Sequence, residues 1–396
     1  MTATPNLAEQ LRHAGEYFAL GRFETARALY EAAIAEAPER LDAVLRLAQL
    51  ALLDNDLVAA RRYADRAVAL APDMPLPYGL LAETAWRDGD FLRAAECYDD
   101  LNRPGLAAVA RRLAPTGAYQ WRAPAATGQL ALIGGDALPV VVARLGGHDV
   151  NLLVDTAAGE LLLDRALAAE LKIEVNGAER LSFAGGRTAT VGHGILDGLE
   201  LGTFALGRVP CQVLELSEVF APFLALPVHG VLGLGVLRRF RVVLDFPGRE
   251  LRLLSPGGDA PQPLVAGQRM WLAAGHYLVT ETEVGAGVRA MMLLDTGMGG
   301  TDCVVARSLA DSVLLTPDPQ GPMAGHGGGG AVQGTAVRLP RLCVGGHCHN
   351  DVRAVVLRQF ALERQLGFRV AGLLASDFFR EARLTLDFER MRMMIG

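Results

Sequence analysis

The strongest constraint on the fold of this chain is an internal duplication within residues 129–396. Four blocks recur in one order at offsets of 140 to 143 residues, and two extra residues follow the second Asp-Thr. The matched blocks are Asn151–Thr156 with Met291–Thr296, Leu161–Leu167 with Cys303–Leu309, Leu199–Val209 with Leu342–Val352, and Arg241–Phe246 with Arg383–Phe388. This register predicts one folding unit present twice in tandem.

The duplicated region has a sequence pattern typical of β proteins. Short β-branched runs alternate with glycine-rich turns from residue 116 onward, which predicts an all-β pattern with closely spaced turns. A stretch that begins with Pro115, Thr116 and Gly117 and runs to about Gly128 is interpreted as a linker, as is the stretch near Ser255–Gln268, which is rich in proline and glycine. The predicted units are therefore 129–255 and 269–396.

The first 115 residues follow a different period, of 34 residues. Three copies align as 7–40, 41–74 and 75–108. Like residues fall in phase in each copy: Ala14, Ala48 and Ala82; Phe23, Leu57 and Phe91; Ala26, Ala60 and Ala94. The pattern resembles the tetratricopeptide (TPR) repeat, which predicts a helical solenoid over 1–115, with a capping helix at Gly105–Leu113. Such arrays expose a concave groove for peptides or proteins.

Each copy of the β repeat has an apolar strand that ends in Asp-Thr and small residues. The first copy reads Asp155-Thr156-Ala157-Ala158, and the second reads Asp295-Thr296-Gly297. These motifs, with Val231-Leu-Gly233 and Leu373-Leu-Ala375 further on, resemble the aspartic peptidases of the retropepsin and pepsin type. The resemblance covers residues 130–395. It implies a mainly-β, bilobal acid-protease fold with two retropepsin-like lobes in one chain.

The resemblance also implies roles for the motif residues. Asp155 and Asp295 would be the catalytic pair, since two close carboxylates share one proton and can activate a water. Thr156 and Thr296 would brace the two loops by bonding across to each other's backbone. Ala157 and Gly297 are small enough for their backbone N–H groups to approach the carboxylates.

Glycine-rich turns after the first helix of each lobe are candidate flaps over a substrate. They contain Gly185 and Gly186 in the first copy, and Gly327 and Gly328 in the second. A mobile lid that excludes water would suit such turns. Ordinary glycine-rich turns are the alternative interpretation.

Three departures from the family pattern leave a second function open. Ala157 and Ala375 stand where glycine is usual, and the second loop is two residues longer. The alternative is therefore an inactive peptide-binding or scaffold protein with a degenerate protease fold. The other aspartates that stand out by position, Asp245, Asp377 and Asp387, are interpreted as caps or ion-pair partners rather than catalysts.

The cysteines suggest a third function, a metal-dependent hydrolase. Cys343, His347, Cys348 and His349 have zinc-ligand residue types. The equivalent positions of the first copy, Glu200, Phe204, Ala205 and Leu206, keep no ligand type except the glutamate. Alternate strand residues also point to opposite faces. We therefore predict no metal and no cofactor. Five cysteines in a long chain also predict no disulfide framework.

Composition limits the classes of protein and of partner that remain possible. The chain has 396 residues, 51% of them hydrophobic, and a net charge of −6. This composition excludes a disordered chain and disfavours a nucleic-acid partner. With neither a membrane span nor a signal peptide evident, the predicted location is the cytoplasm. The sequence thus predicts an aspartic endopeptidase that acts on peptides or proteins, needs no oligomer or membrane for catalysis, and binds a protein partner through its TPR groove.

Overall fold

The structure is a computed structural model that describes residues 6–134, 138–182, 188–216, 226–256, 267–313, 315–327, 330–357 and 362–396. The chain forms two compact units. The first comprises the described residues among Met1–Thr116, Leu272–Gly275 and Ala361–Arg369. The second comprises those among Gly117–Trp271, His276–Phe360 and Val370–Gly396. The boundaries predicted from the sequence stay predictions.

The helices and strands are numbered in chain order. The helices are α1 Leu7–Ala19, α2 Phe23–Glu36, α3 Leu41–Leu53, α4 Leu57–Leu70, α5 Pro75–Asp88, α6 Phe91–Asp100, α7 Pro104–Leu113, α8 Arg165–Glu170, α9 Leu234–Leu237, α10 Arg307–Ala310 and α11 Leu362–Leu366, with a 3-10 turn at Ser376–Phe379.

The strands are β1 Gln120–Ala123, β2 Thr127–Ile133, β3 Val140–Leu145, β4 His148–Val154, β5 Leu161–Asp164, β6 Asn176–Ser182, β7 Thr188–Leu196, β8 Leu199–Leu201, β9 Phe204–Gly207, β10 Val209–Leu214, β11 Gly230–Leu232, β12 Arg241–Asp245, β13 Glu250–Leu254, β14 Gln268–Ala273, β15 Tyr277–Val284, β16 Val288–Asp295, β17 Cys303–Val305, β18 Thr316–Gly327, β19 Gly330–Val344, β20 His347–Leu357, β21 Gly372–Ala375, β22 Arg383–Asp387 and β23 Arg392–Ile395.

The first unit is a series of helical hairpins followed by α7. The second helix of each hairpin begins at the aromatic or apolar residue in phase: Phe23, Leu57 and Phe91. Acidic side chains cap two of these helices, because Asp56 accepts from the Ala59 N–H at 3.0 Å and Asp90 from the Arg93 N–H at 3.2 Å. The small residues in phase are buried where the helices approach: Ala14, Ala26, Ala48, Ala60, Ala82 and Ala94.

The second unit contains the duplicated β repeat. In the first copy, β4 and β5 both pair with β11, and β5 continues to β10. The second copy repeats this pattern, with β16 and β17 pairing with β21, and β17 pairing with β20. There, β15 also pairs with β19, so that six strands close into a barrel.

A further antiparallel sheet joins the two copies, in the order β2-β13-β12-β22-β23-β14. Its centre is the β12–β22 pair, where reciprocal ion pairs cross between the copies. Arg383 donates to Asp245 at 2.7 Å, and Arg241 donates to Asp387 at 3.1 Å. Both aspartates thus hold ion pairs, as the sequence predicts for them.

One predicted linker is wrong in part. Residues 120–123 form β1, which pairs with β9 rather than running free between the units. Sequence reading missed this strand because it is only four residues long and half of it is polar. The 257–266 part of the other predicted linker lies outside the described residues.

The joining sheet supplies a test of the packing. Leu386, on β22, has no exposed surface, whereas 47% of Met394 on β23 is exposed. We expect Leu386→Ala to lower the free energy of unfolding by about 2–5 kcal/mol, because a buried leucine leaves a cavity. Met394→Ala, the control in the same sheet, should change it by less than about 0.5 kcal/mol. Urea unfolding followed by circular dichroism measures both, and equal losses would contradict this packing.

Candidate functional site

Two buried strands carry the Asp-Thr motifs to one place. The three residues before each aspartate are at most 2% exposed: Leu152, Leu153 and Val154 in the first copy, and Met292, Leu293 and Leu294 in the second. The Asp155 N–H donates to the Leu232 carbonyl at 3.2 Å, and Asp295 is in register with Ala375. Each motif is therefore fixed by its neighbouring parallel strand.

The two threonines bond to each other's loops in a reciprocal pattern. The Thr156 N–H donates to Thr296 Oγ1 and the Thr296 N–H donates to Thr156 Oγ1, both at 3.1 Å. The Thr156 hydroxyl donates to the Leu294 carbonyl at 2.9 Å, and the Thr296 hydroxyl donates to the Val154 carbonyl at 2.8 Å. Both side chains are fully buried. These four bonds hold the copies together directly behind the aspartates.

The residues after the threonines approach the carboxylates through their backbones. The Ala157 N–H donates to Asp155 Oδ1 at 2.7 Å, and Ala157 does not have a positive φ. Its methyl group is therefore compatible with the turn. Gly297 is more constrained, because a Cβ there would lie 2.4 Å from the Asp155 Cγ. Close approach of the two loops requires glycine at that position.

Burial raises the pKa of both aspartates. At Asp155 burial outweighs the backbone N–H groups of Ala157, Ala158 and Gly297, which favour the ionised form, and its pKa rises to about 6. Burial, followed by the negative charge of Asp155, raises the pKa of Asp295 well above its usual range. The two carboxyl groups therefore interact and titrate as a pair.

The longer second loop is held by residues that the sequence did not assign to the site. The Ser376 hydroxyl donates to the Met298 carbonyl at 2.8 Å. The Gly300 N–H donates to the Asp377 carboxylate, which also pairs with Arg380. Asp377 is thus an ion-pair partner, as predicted, and also anchors the two extra residues. The sequence signal that could have assigned Ser376 and Asp377 to the site is their position directly after the Leu373-Leu-Ala375 motif.

The first loop has a different support, which sequence reading also missed. The Tyr119 hydroxyl donates to Glu160 Oε2 at 2.7 Å, and the Arg239 guanidinium lies 4.0 Å from the centre of the Tyr119 ring. Burial raises the pKa of Tyr119 and lowers that of Arg239 to about 10. The neutral phenol therefore remains a donor to Glu160, five residues after Asp155.

Ala375 occupies the position equivalent to Gly233, and the two positions differ in their surroundings. A Cβ at Gly233 would lie 2.2 Å from the Glu160 carbonyl oxygen. Ala375 is fully buried, and its N–H donates to the Asp302 carbonyl at 3.0 Å. The altered second loop is therefore compatible with the methyl group that the first loop would exclude.

Little of the predicted flaps falls on described residues. Gly185, Gly186 and Gly328 lie outside them. Gly327 ends β18, where it pairs with Gly330 across the β18–β19 hairpin. The first candidate flap lies between β6 and β7, whose described ends pair at Ser182 and Thr188. The flap roles stay predictions.

The cysteine and histidine cluster forms a disulfide instead of a set of free thiols. Cys343 and Cys348 are bonded, with their Cα atoms 4.1 Å apart across the β19–β20 hairpin. The hairpin register places them opposite each other, which the sequence prediction overlooked. Because each sulfur is bonded to the other, neither is a thiolate ligand. Disulfides are typical of oxidising compartments, whereas the sequence predicts the cytoplasm, and the location stays a prediction.

The two histidines of this cluster form a separate pair. His347 Nε2 and His349 Nε2 lie 2.7 Å apart, and both rings pack against Phe378. Burial, followed by the charge of His349, lowers the pKa of His347. Within the described residues, no group of three or more His, Cys, Asp or Glu side chains is placed to hold a metal ion.

Comparison with known families identifies both parts of the chain. The Aspartyl protease family model matches residues 141–236 and 280–378, and the Tetratricopeptide repeat model matches residues 17–84. The chain carries two aspartyl protease repeats behind a TPR region. The predicted fold class, a TPR solenoid followed by two retropepsin-like lobes, is confirmed.

Solved structures with partial similarity include one of each kind. A retropepsin-like aspartic protease from Rickettsia conorii is 18% identical, with a TM-score of 0.25, and the match covers 34% of this chain and 95% of that one. A thermophilic TPR protein from Thermus thermophilus is 24% identical, with a TM-score of 0.23, covering 27% of this chain and 63% of that one. No curated protein matches the chain. In the part of the chain that the structure describes, no helix is long and apolar enough to cross a membrane.

Reciprocal substitutions test the asymmetry of the two loops. Gly297→Ala should lower the free energy of unfolding by about 1–3 kcal/mol, because the new methyl group would overlap the Asp155 carboxyl group. Ala157→Gly should cost no more than about 1 kcal/mol, the usual penalty of added backbone freedom. Urea unfolding compares the two variants. Equal costs would contradict the close approach at Gly297.

The raised pKa values predict how stability depends on pH. The folded chain holds protons on Asp155 and Asp295 that the unfolded chain releases near pH 4, so stability falls as pH rises from about 4 through about 6. Asp295→Asn removes one of these proton-binding groups, because asparagine does not titrate. We expect this variant to melt about 2–4 °C above the wild type at about pH 7, with a smaller difference at about pH 4.

Thermal melts of the wild type and of Asp295→Asn at both pH values measure this effect. Asp73→Asn, in an exposed turn, is the control and should show no such pH dependence. A stabilisation by Asp295→Asn that was larger at the lower pH would contradict the raised pKa.

Proposed function

We propose that this chain is an aspartic endopeptidase, which hydrolyses peptide bonds with a water held between Asp155 and Asp295. The observation that carries the proposal is the reciprocal bonding of Thr156 and Thr296, which brings the two Asp-Thr loops together. The influence of the Asp155 charge on the pKa of Asp295 supports it, because a shared proton needs two carboxyl groups that interact.

The proposed mechanism follows from the protonation of the pair. With one proton on the two carboxyl groups, the ionised one accepts a proton from the water as its oxygen attacks the peptide carbonyl carbon. The protonated one donates to the carbonyl oxygen, which forms a tetrahedral intermediate. Transfer of a proton to the leaving nitrogen then lets the C–N bond break. Thr156 and Thr296 position the loops and exchange no protons with the substrate.

The raised pKa values of the two aspartates support a higher working pH for this proposed chemistry than ordinary carboxylates would have. Below the lower apparent pKa both groups are protonated, and no base remains to activate the water. Because burial raises the pKa of Asp155 to about 6, the singly protonated pair would predominate above that pH. We therefore propose activity that increases from acid toward neutral pH.

The substrate and partner roles rest on the two family assignments. Aspartyl protease repeats imply a peptide substrate, and TPR repeats imply interaction with a protein. We propose that the substrate binds as an extended strand, with backbone hydrogen bonds to the flaps that contain Gly185, Gly186, Gly327 and Gly328. We also propose that the TPR region recruits a protein or peptide partner.

Cleavage of a peptide library by the full chain tests the proposal. We expect cuts by the wild type that increase in rate between about pH 4 and about pH 7. Asp295→Asn should reduce the rate at least about 10³-fold, because it removes a group that exchanges protons in the reaction. Mass spectrometry of the fragments measures the cuts and their positions.

Asp73→Asn serves as the control and should cleave like the wild type. Circular dichroism must show that Asp295→Asn is folded. Cuts that persist at an unchanged rate in the folded Asp295→Asn variant would not depend on Asp295 and would contradict the proposal. No cuts by the wild type at any pH would favour the alternative, a peptide-binding protein without activity.

A further inference from the structure

The first unit contains two segments that come from late in the sequence. Leu272–Gly275 and the described residues of Ala361–Arg369 belong to the same compact unit as helices α1–α7. They line a cavity together with residues of α1, α3 and α5, which are the first helices of the three hairpins. The helical residues are Phe18, Gln49, Leu52, Leu53, Leu80 and Glu83. The shared face of the first helices is therefore already occupied by the chain itself.

Phe368 is the main apolar contact of this occupant. It is 3% exposed, and its ring meets Phe23 edge-on at 5.0 Å and Phe18 edge-on at 6.0 Å between centroids. The Arg46 guanidinium lies 4.5 Å from the centre of the Phe18 ring. Such edge-to-face packing depends on ring geometry, so this pocket selects an aromatic side chain.

The backbone around Phe368 is also specified. Gly367 has a φ of 76°, and a Cβ there would lie 3.2 Å from Arg46 Nη1. The Arg369 N–H donates to the carbonyl of Ala19, at the end of α1, at 2.8 Å. Leu366, which ends α11, is 7% exposed. The bound element is thus a short helix that ends at a leucine and is followed directly by glycine and phenylalanine.

Leu272–Gly275 contacts the same series of helices at α5. The Arg87 guanidinium is buried, donates to the Leu52 carbonyl at 2.8 Å and lies 3.4 Å from the Leu272 carbonyl. Arg87 also pairs with Glu83. This contact is made through a backbone carbonyl, and it is therefore less selective for side chains than the Phe368 pocket.

We propose that the Phe18–Phe23–Arg46 pocket is a recognition site for a short helix that ends at a leucine and is followed by Gly-Phe. The chain's own Leu362–Arg369 segment fills it, and a protein partner that carries the same element binds by displacing that segment. This proposal deepens the partner role given above and specifies the chemistry of the partner.

Tethering determines how such a partner would compete. A segment of the same chain acts at an effective concentration that reaches the millimolar range. The apparent affinity for a free peptide is reduced by the fraction of molecules in which the site is open. A free partner therefore binds weakly until the internal segment is weakened or released.

Displacement of the Leu362–Arg369 segment would affect the chain close to the candidate catalytic site. Val370 alone separates Arg369 from Ala371, whose N–H donates to the Met291 carbonyl of β16 at 2.8 Å. That strand ends at Asp295. Release of Leu362–Arg369 would therefore free the segment that leads into β21, the parallel partner of β16. This last step rests on the proposed peptidase function, whereas the recognition site itself does not.

The test uses the full chain and a fluorescent synthetic peptide with the sequence of residues 362–371. Fluorescence anisotropy measures its binding to the wild type and to Phe368→Ala. We expect the peptide to bind Phe368→Ala at least about tenfold more tightly, because the internal competitor is weakened. Phe368→Leu should give an intermediate affinity. A peptide with alanine in place of its phenylalanine should bind neither protein.

Equal binding of the peptide to the wild type and to folded Phe368→Ala would overturn the proposal, as would equal binding of the alanine peptide. If Phe368→Ala does not fold, hydrogen exchange of the wild type decides instead. Excess peptide should then accelerate exchange of the amides in 362–369, and unchanged exchange would overturn the proposal.

A cleavage assay with the same peptide separates this proposal from the proposed function. Peptide binding together with a change in cleavage rate supports the coupling to β21. Peptide binding by a protein that cleaves nothing leaves the recognition site intact and counts against the peptidase function alone. Unchanged cleavage by an active enzyme saturated with peptide would refute the coupling.

Discussion

The reciprocal bonding of Thr156 and Thr296 is the interaction on which the rest of the second unit depends. Each threonine uses its N–H and its hydroxyl on the other copy. Separation would therefore leave three polar groups of each copy without these partners, namely the threonine N–H, its hydroxyl and the carbonyl before the aspartate. Buried polar groups without partners are costly. The duplication in one chain therefore supplies both halves of a contact that neither half can make alone. The β12–β22 pair, with its crossed arginine–aspartate bonds, repeats that reciprocity in the joining sheet.

The two copies have nonetheless diverged in how each loop is supported. The first loop keeps its usual length and is supported through Glu160 by Tyr119, whereas the second is longer and is held by Ser376 and Asp377. The positions that require glycine and those that accept alanine differ between the two loops in the same way. Glycine is required at Gly233 and Gly297, where a Cβ would collide with the first loop. The departures at Ala157 and Ala375 thus fall where the structure has room, and they do not by themselves indicate a degenerate site.

Repeated patterns made most of this fold predictable. Periods of 34 and about 142 residues predicted the helices and the Asp-Thr strands, because an element recognised in one copy is expected at the equivalent position of the others. Contacts that occur once had no such support. Tyr119 lies in a stretch that reads as a linker, and its partner Glu160 is 41 residues away. The Cys343–Cys348 disulfide was missed because the pair was weighed as metal ligands, although two cysteines flanking a tight hairpin turn lie opposite each other.

The occupied helical face changes what recruitment by the TPR region can mean. A free groove would bind a partner without consequence for the rest of the chain. Here the pocket holds Phe368, so any ligand of the same chemistry must exchange with a segment that leads directly into β21. Binding of the partner then requires release of the internal segment, and part of the binding free energy of the partner is used to displace that segment. Because linkage is reciprocal, any interaction that orders the segment leading into β21 would in turn lower the affinity of the pocket for an outside partner.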